Sequence, residues 1–362
     1  MRAVGWIGSL AITLGTCALI GPALMAWKPP ARCVHAPYPL APADGADDGF
    51  VRTGIVGMDN FLCIFTHFFL DSQASPIPSR VEMTNHLLSS ALLGVALFMG
   101  LESTRQRARG PCAWPALTAT MYQLLGISVV LPMMWIPSFL YSYPQSLGKA
   151  VAVPLPVHEL TLGASPLLVT IAFGTAAFGA IFFVMIHSTG LDFQRAFVIF
   201  QFWPSVFPLL LPLLRVLVSN PSTKASATTV SRVASGLYRL FALALTLHHW
   251  TFLVAPLVRR GSVAPLRDLS AFLLSMPLDA NQAIPLWFLL VDAISLTTSM
   301  ALLVVSESSS AHGLGRAARS LVLFMLATIA LGPGAAFSLF CASREDGIRA
   351  EHWNAPKKSK RS

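Results

Sequence analysis

The chain has 362 residues, of which 54% are hydrophobic and only 11% are charged. Soluble domains carry roughly 25% charged residues, so this composition excludes an ordinary soluble globular protein. The net charge of +9 comes partly from a basic C-terminal tail, which indicates a membrane surface and not nucleic acid as the partner. We therefore predict an all-α, polytopic membrane helix bundle that lies in the lipid bilayer.

Eight apolar stretches approach or exceed the roughly 20 residues that a helix needs to cross the hydrocarbon layer. A ninth stretch, 53–70, is interrupted by polar residues and fits an interfacial or re-entrant helix as well as a span. The first stretch is long for a signal peptide, so we expect it to remain as a span. The bundle is predicted to be one domain, 1–342, followed by a basic tail, 343–362. The eight predicted spans are 4–26, 84–102, 115–140, 163–187, 196–218, 236–258, 284–305 and 320–341.

Lysine and arginine residues in short loops predict which side of a membrane protein is cytosolic. Three clusters, Arg105–Arg109, Arg259–Arg267 and Arg344–Arg361, fall on one side of an eight-span protein. This arrangement places both termini in the cytosol. The last five residues, Lys358 to Ser362, fit the Lys-x-Lys-x-x pattern that retrieves membrane proteins to the endoplasmic reticulum. We therefore expect the protein in that membrane.

Several signatures of cofactor and metal chemistry are missing from the sequence. The five cysteines are scattered and have no metal-ligand spacing, so they predict neither a disulfide framework nor a zinc site. There is no Asp-rich diphosphate motif, no P-loop, no GxSxG elbow and no HExxH sequence. Metal-assisted ionisation of a prenyl diphosphate is therefore not expected, and we predict no cofactor and no metal.

Acidic residues within or beside the apolar stretches are candidates for catalysis, because an unsatisfied polar group in hydrocarbon is costly. Asp59 begins an aromatic-rich segment, where a carboxylic acid can keep its proton and donate it. Alternatively, Asp59 caps a helix by accepting N–H bonds at its start. Asp292 lies deep in the seventh span, where an isolated acid is functional by default. Asp279 precedes that span and can cap the helix or act as an acid at a cavity mouth.

Other polar side chains have structural explanations beside functional ones. Glu102 ends the second span and can form an ion pair with Arg105 three residues later. Gln123 is placed to form hydrogen bonds across helices. His249 and Trp250 follow His248 in the sixth span, and adjacent histidines point about 100° apart on a helix, so they cannot chelate one ion together. Gln123, His249 and Trp250 are predicted to contact a substrate.

Several short segments, in this order along most of the chain, resemble a family of fungal integral membrane proteins of terpenoid pathways. They include membrane-bound terpene cyclases of the ascochlorin and ascofuranone type, and related proteins of indole-diterpene pathways. The segments are Gly57-Met58-Asp59 with Leu62-Cys63 and Phe68-Phe69, Leu101-Glu102-Ser103-x-Arg105, Tyr122-Gln123-Leu124-Leu125-Gly126 with Val130-Leu131-Pro132, Val153-Pro154-Leu155-Pro156, and Leu331-Gly332-Pro333-Gly334-Ala335-Ala336.

The resemblance implies an enzyme that protonates a terminal epoxide or alkene on a farnesyl-type chain and closes rings without metal. Asp59 is the first candidate for the proton donor, Asp279 and Asp292 are the next, and Glu102 would orient or relay with Arg105. The implied partners are a lipophilic prenylated substrate, an upstream epoxidase and a prenyltransferase. Two alternatives stay open, a non-catalytic membrane scaffold of a terpenoid pathway and a carrier for a lipophilic metabolite.

Overall fold

The structure is a computed structural model that describes residues 2–34, 53–105, 107–142, 165–218, 227–276 and 283–354. These residues form helices and loops with no strand among them, which confirms the predicted all-α class. Short π-helical turns join α5 to α6 and α9 to α10. The helices are α1 Arg2–Ala26, α2 Val56–Gln73, α3 Pro78–Ser103, α4 Pro115–Leu125, α5 Ile127–Val130, α6 Ile136–Ser142, α7 Ser165–His187, α8 Gly190–Val218, α9 Ala227–His249, α10 Ala255–Arg260, α11 Ala264–Ser275, α12 Ala283–His312, α13 Leu314–Leu331 and α14 Pro333–Asn354.

Six helical stretches in the described ranges are long and apolar enough to cross a membrane, which makes this a multi-pass membrane protein. The ambiguous stretch 53–70 forms α2, which is not one of the six. Helix α14 continues through the predicted domain boundary at 342–343. The six stretches are Val4–Ala26, Pro78–Ser103, Ser165–His187, Thr229–Arg260, Ala283–Ser309 and Leu314–Leu331.

The predicted span 115–140 is a helical hairpin, so its prediction as a single crossing was wrong. Helix α4 ends at Gly126, whose φ of +84° suits glycine, and the chain turns back through α5 and α6. Helix α6 returns to the level at which α4 begins. There the Ser138 hydroxyl donates to the Arg109 carbonyl at 2.6 Å, and the Arg109 amide donates to Ser142 Oγ at 3.1 Å.

The predicted span 320–341 is also two helices, which break at Gly332. The side chain of Trp250 donates from Nε1 to the Ala330 carbonyl at 2.9 Å, and His249 Nε2 lies 3.3 Å from the Ile329 carbonyl. These contacts satisfy carbonyls that have no partner within the last turn of α13. After the break, α14 packs closely on α3, because a Cβ at Gly334 would lie 1.9 Å from a backbone oxygen of α3.

The bundle has two distinct ends, which the contacts between helices define. Glu102 at the end of α3, Glu307 near the end of α12, and Arg344 in α14 form ion pairs, and we call this the ion-pair end. Helix α1 runs antiparallel to α12, so its C-terminal end and the segment after it lie at the opposite end. There Cys33 is bonded to Cys63, and we call this the disulfide end.

Two features of the disulfide end correct sequence-based expectations. The Cys33–Cys63 bond was not predicted, because the two cysteines are 30 residues apart and nothing local indicates their pairing. Arg80, in the first turn of α3, forms an ion pair with Asp268 of α11 at 2.6 Å. The arginine cluster around α11 therefore lies opposite Arg105 and Arg344, and the expectation that all three clusters share one side was wrong. The turn at Gly126 and the break at Gly332 cause this difference, because the predicted spans 115–140 and 320–341 are then not single crossings between the clusters.

Candidate functional site

An aromatic-lined cavity of about 290 Å³ lies among α1, α2, α3, the α4–α5 turn, α7, α8 and α12. The volume is at the lower edge of the roughly 300–1,000 Å³ found for small-molecule sites. Its aromatic lining includes Trp27, Phe65, Phe68, Phe69, Phe200 and Phe288.

Asp292 of α12 is the one acidic residue among the described side chains that line this cavity. It is buried, with 6% of its surface exposed, and the Ser128 hydroxyl donates a hydrogen bond to its Oδ1. Burying an ionised carboxylate in an apolar cavity costs far more free energy than burying the neutral acid. The Asp292 carboxyl group faces whatever occupies the cavity, and a carboxyl group in such a position can exchange a proton with it.

The α4–α5 turn places the partner of Asp292. Because the chain reverses at Gly126, Ser128 lies in the first turn of α5 and faces α12. Ser295, one turn after Asp292, donates to the Ser128 carbonyl at 3.2 Å, and Thr16 of α1 lies 2.8 Å from the Ser295 hydroxyl. These hydrogen bonds fix the turn against α12, so the acid and its partner keep their relative positions.

Part of the cavity wall is built from rings that meet edge to face. The centre of the Phe68 ring lies 5.3 Å from that of Trp27 and 5.2 Å from that of Phe288, with interplanar angles of 85° and 89°. Aromatic pairs favour this geometry, and the negative face of a ring attracts a cation near it. The wall helix α2 is held in place by the disulfide at Cys63 and by a 3.2 Å bond from Trp27 Nε1 to Asp71.

Gln123 lines the cavity, at the position where we predicted a substrate contact. Its Nε2 lies 3.4 Å from the Phe200 carbonyl, and Gln201 Nε2 donates to the Gln123 carbonyl at 3.1 Å. The two amides join the end of α4 to α8 across the side of the cavity. This agrees with the expected role of Gln123 in bonding across helices.

Asp59 does not line the cavity. Its carboxylate accepts hydrogen bonds from the Thr53 amide and hydroxyl, both at 2.7 Å, and from the Gly54 amide at 3.1 Å. These bonds tie the segment before α2 to a side chain in the first turn of that helix. The contacts favour the alternative role of Asp59 as the residue that secures the start of α2, and its catalytic role stays a prediction.

Glu102 also lies outside the cavity lining, in a buried ion-pair network. It binds Arg105 Nε and Arg344 Nη1, each at 2.8 Å. Arg344 also binds Glu307 at 2.6 Å, and Glu345 binds Arg105. This network joins the ends of α3, α12 and α14, so the contacts favour the ion-pair explanation of Glu102.

His249 and Trp250 do not line the cavity; they contact the α13–α14 break. The neighbouring His248 bonds instead to His86 of α3, with ring nitrogens 3.1 Å apart. Asp279 lies outside the described residues, so its predicted roles stay predictions. No described residue near His248 or His249 forms a metal-binding group with them.

Sequence reasoning missed Ser128 and most of the aromatic lining from α2. Ser128 is 164 residues from Asp292 along the chain, so no local pattern connects them. The signal available was the resemblance itself, since the segments Tyr122–Gly126 and Phe68-Phe69 both line the cavity. The remaining lining residues are single apolar side chains that do not differ in type from lipid-facing ones.

The fold and the site define a multi-pass helical membrane protein with an aromatic-lined cavity, in which Asp292 is the one acidic side chain among the described lining residues. A family model described as the CtvD domain matches residues 42–349, so the chain belongs to the CtvD domain family. This family is one of fungal secondary-metabolism pathway proteins of the meroterpenoid and ascochlorin type, in agreement with the resemblance noted in the sequence. Comparison with curated proteins gave no match, and comparison with solved structures gave none.

Proposed function

We propose that this protein is a membrane-bound terpene cyclase in which Asp292 protonates a prenyl chain held in the aromatic cavity. The observation that carries the proposal is the position of Asp292. It is the one acid among the described lining residues and faces an aromatic-lined cavity of about 290 Å³.

In the proposed reaction, Asp292 transfers its proton to the epoxide oxygen as the bond from that oxygen to the more substituted carbon breaks. The next alkene donates its π electrons to the resulting cation, and ring closure moves the charge along the chain. Phe68, Phe288 and Trp27 stabilise the cation through their ring faces. The reaction ends when a neighbouring carbon loses a proton, or when an internal hydroxyl attacks and loses its own. Asp292 or water takes that proton, so the overall reaction is an isomerisation.

Expression in a host fed an epoxyfarnesyl phenol tests this function. General acid catalysis typically contributes about 10²–10⁴-fold, so Asp292→Asn should lower the yield of cyclised product by about that factor at equal protein level. Asp192→Asn is the matched control, because Asp192 is exposed at the start of α8. A wild-type chain that binds the substrate and returns it unchanged would support the carrier alternative. Equal yields from wild type and Asp292→Asn would refute the acid role.

We also infer an orientation in the endoplasmic reticulum membrane, with the ion-pair end in the cytosol. Two features, one at each end of the bundle, support this orientation. A disulfide persists in an oxidising compartment, which suits the lumen for Cys33 and Cys63. Arg105 and Arg344 lie at the other end of the bundle, and the basic tail follows α14 in the chain. Positively charged segments favour the cytosolic side. Labelling of introduced cysteines with a membrane-impermeant maleimide, before and after the microsomes are opened, would report the side of each loop.

A further inference from the structure

The lining of the aromatic cavity is buried on one side and exposed on another. Leu24 of α1 and Leu124 and Leu125 of α4 line the cavity and keep 43%, 46% and 52% of their surfaces exposed. Leu88 and Phe200 line the same cavity, yet each is only 5% exposed. Facing the cavity therefore does not by itself expose a side chain. The three leucines lie where the cavity meets the outer surface of the bundle, and we call this place the leucine opening.

The leucine opening lies at the depth of the lipid hydrocarbon. Leu24 belongs to the membrane-spanning stretch Val4–Ala26, close to its disulfide end. Leu125 ends α4, a helix of 11 residues, and so lies about 16 Å from the start of that helix. This distance is about half of the roughly 30 Å hydrocarbon layer. The opening therefore faces acyl chains, in the half of the bilayer toward the disulfide end.

The α4–α6 hairpin explains why the bundle is open at this place. The chain turns back at Gly126 and returns to the level at which α4 begins, so the hairpin provides wall only on the ion-pair side of its tip. A single continuous span would pass the tip and cover the cavity on the disulfide side as well. Helix α1 packs on α5, α6 and α12, and it forms the other edge of the opening.

We propose that the leucine opening is the entrance through which a lipophilic prenyl substrate passes from the bilayer into the cavity. A prenyl chain is more stable in hydrocarbon than in water, so a sideways route spares the chain any exposure to water. The three exposed side chains at the opening are all apolar and offer no group that would hold a polar ligand there. This inference rests on the proposed function for its substrate class.

The depth of Asp292 indicates which end of the substrate enters first. Asp292 lies nine residues, about 14 Å, along α12 from the start of that helix at the disulfide end. Leu24 is only two residues from the end of α1 on the same side. The prenyl end, which carries the epoxide, therefore enters first and reaches Asp292. The phenol follows and stays nearer the membrane surface.

Substitutions that narrow the opening provide the test, and each has a matched control on its own helix. Leu24→Trp places a larger side chain in the opening. Leu19→Trp is its control, because Leu19 is 45% exposed on α1 and does not line the cavity. Leu125→Trp is the second variant if Leu24→Trp does not fold. Its control is Leu117→Trp, since Leu117 is 42% exposed on α4 and lies outside the lining.

The assay measures entry without chemistry. Purified variants in liposomes receive a prenyl phenol that lacks the epoxide and carries a photoreactive group, and the labelled fraction is measured after increasing delays before a light flash. Leu24→Trp should slow labelling about tenfold or more, within the one to three decades over which association rates of related variants differ. Leu19→Trp should match wild type within about twofold. The final labelled fraction should be the same in all variants, because a narrowed entrance slows association and dissociation alike.

Three results would overturn the proposal. The first is equal labelling rates for Leu24→Trp and Leu19→Trp, or for Leu125→Trp and Leu117→Trp. The second is an unchanged rate with a lower final fraction, which would make the leucines part of a binding surface and not an entrance. The third is a phospholipid that stays bound at the opening and that an excess of prenyl phenol does not displace, as mass spectrometry of the purified protein would show.

The labelling experiment also separates this inference from the proposed function. If Leu24→Trp slows labelling as expected and wild type cyclises no epoxyprenyl phenol, the proposed function fails and the entrance remains. If wild type cyclises the substrate and the labelling rates of variant and control are equal, the entrance is refuted and the proposed function remains.

Discussion

The ion-pair network provides a quantitative test of whether Glu102 is structural or catalytic. Among the described contacts, three carboxylates, those of Glu102, Glu307 and Glu345, face the two guanidinium groups of Arg105 and Arg344. Breaking a buried ion pair by removing one partner costs about 3–5 kcal/mol, because the remaining charge loses its compensation. The cost depends on the charge that is left behind.

The two possible truncations should differ in a defined direction. Glu102→Gln leaves two carboxylates with two guanidinium groups, which is a balanced set, and should cost about 3 kcal/mol, at the lower end of the range. Arg344→Met leaves three carboxylates with one guanidinium group, and it should cost about 5 kcal/mol or more. Since the two side chains contact each other at 2.8 Å, the double variant should lose less than the two single losses added together.

The measurement is unfolding in mixed micelles, followed by tryptophan fluorescence, with product yield for each folded molecule determined in parallel. A structural Glu102 gives reduced stability and an unchanged yield from the folded fraction. Arg239→Met, which removes a pair between partly exposed side chains, is the control and should cost no more than about 1 kcal/mol. The ion-pair explanation of Glu102 is wrong if Glu102→Gln is more destabilising than Arg344→Met, or if Glu102→Gln keeps full stability and loses product.

Three further outcomes follow from the described contacts. Asp59→Asn should weaken the hydrogen bonds that hold residues 53–54 to α2 and should cost about 0.5–1.5 kcal/mol for each bond lost. It should leave the product yield of folded protein unchanged, and a lost yield at full stability would restore Asp59 as a proton donor. Cys33→Ser should lower stability by about 3–4 kcal/mol, the loop-closure value for a separation of 30 residues, and dithiothreitol should lower the melting temperature of wild type but not of the variant. The Arg80 guanidinium beside Asp268 holds the pKa of that carboxyl below its usual value of about 3.9, so the pair stabilises the fold above about pH 4 and this contribution is lost as the pH falls through the folded-state pKa. Both side chains are partly exposed, so Asp268→Asn should cost less than about 1 kcal/mol at pH 7, and a difference from wild type that persists in acid would contradict the ion-pair explanation.

The sequence predicted those features that depend on local composition. Hydropathy identifies membrane helices because each residue contributes separately, and the all-α class followed from it. The deep position of Asp292 in an apolar stretch marked it as a candidate, and the structure places it in the cavity wall. The preference for Asp59 over Asp292 came from its aromatic neighbours in sequence, whereas the contacts of Asp59 are with the backbone and hydroxyl groups just before its helix.

The features that the sequence did not reveal depend on distant contacts. Glycine is common within membrane helices, so Gly126 and Gly332 do not by themselves distinguish a turn from a continuous span. The pairing of Cys33 with Cys63 requires the position of α2 relative to the end of α1. The side of the membrane on which α11 lies could not be derived from the loop charges, because that derivation requires the turn at Gly126 and the break at Gly332 to be known.

The hairpin tip at Gly126 has a consequence for the order in which the protein is made. Hydropathy alone makes 115–140 a stretch that crosses the bilayer, yet the folded hairpin begins and ends on the same side. Backbone groups at a break within the apolar layer are tolerated only where protein or a cavity surrounds them. At this tip, Ser128 bonds to Asp292 and Ser295 of α12, which follow it by 164 and 167 residues in the chain. The hairpin can therefore reach its final position only after α12 has been inserted, and a nascent chain that stops before residue 283 lacks the surface on which the tip closes.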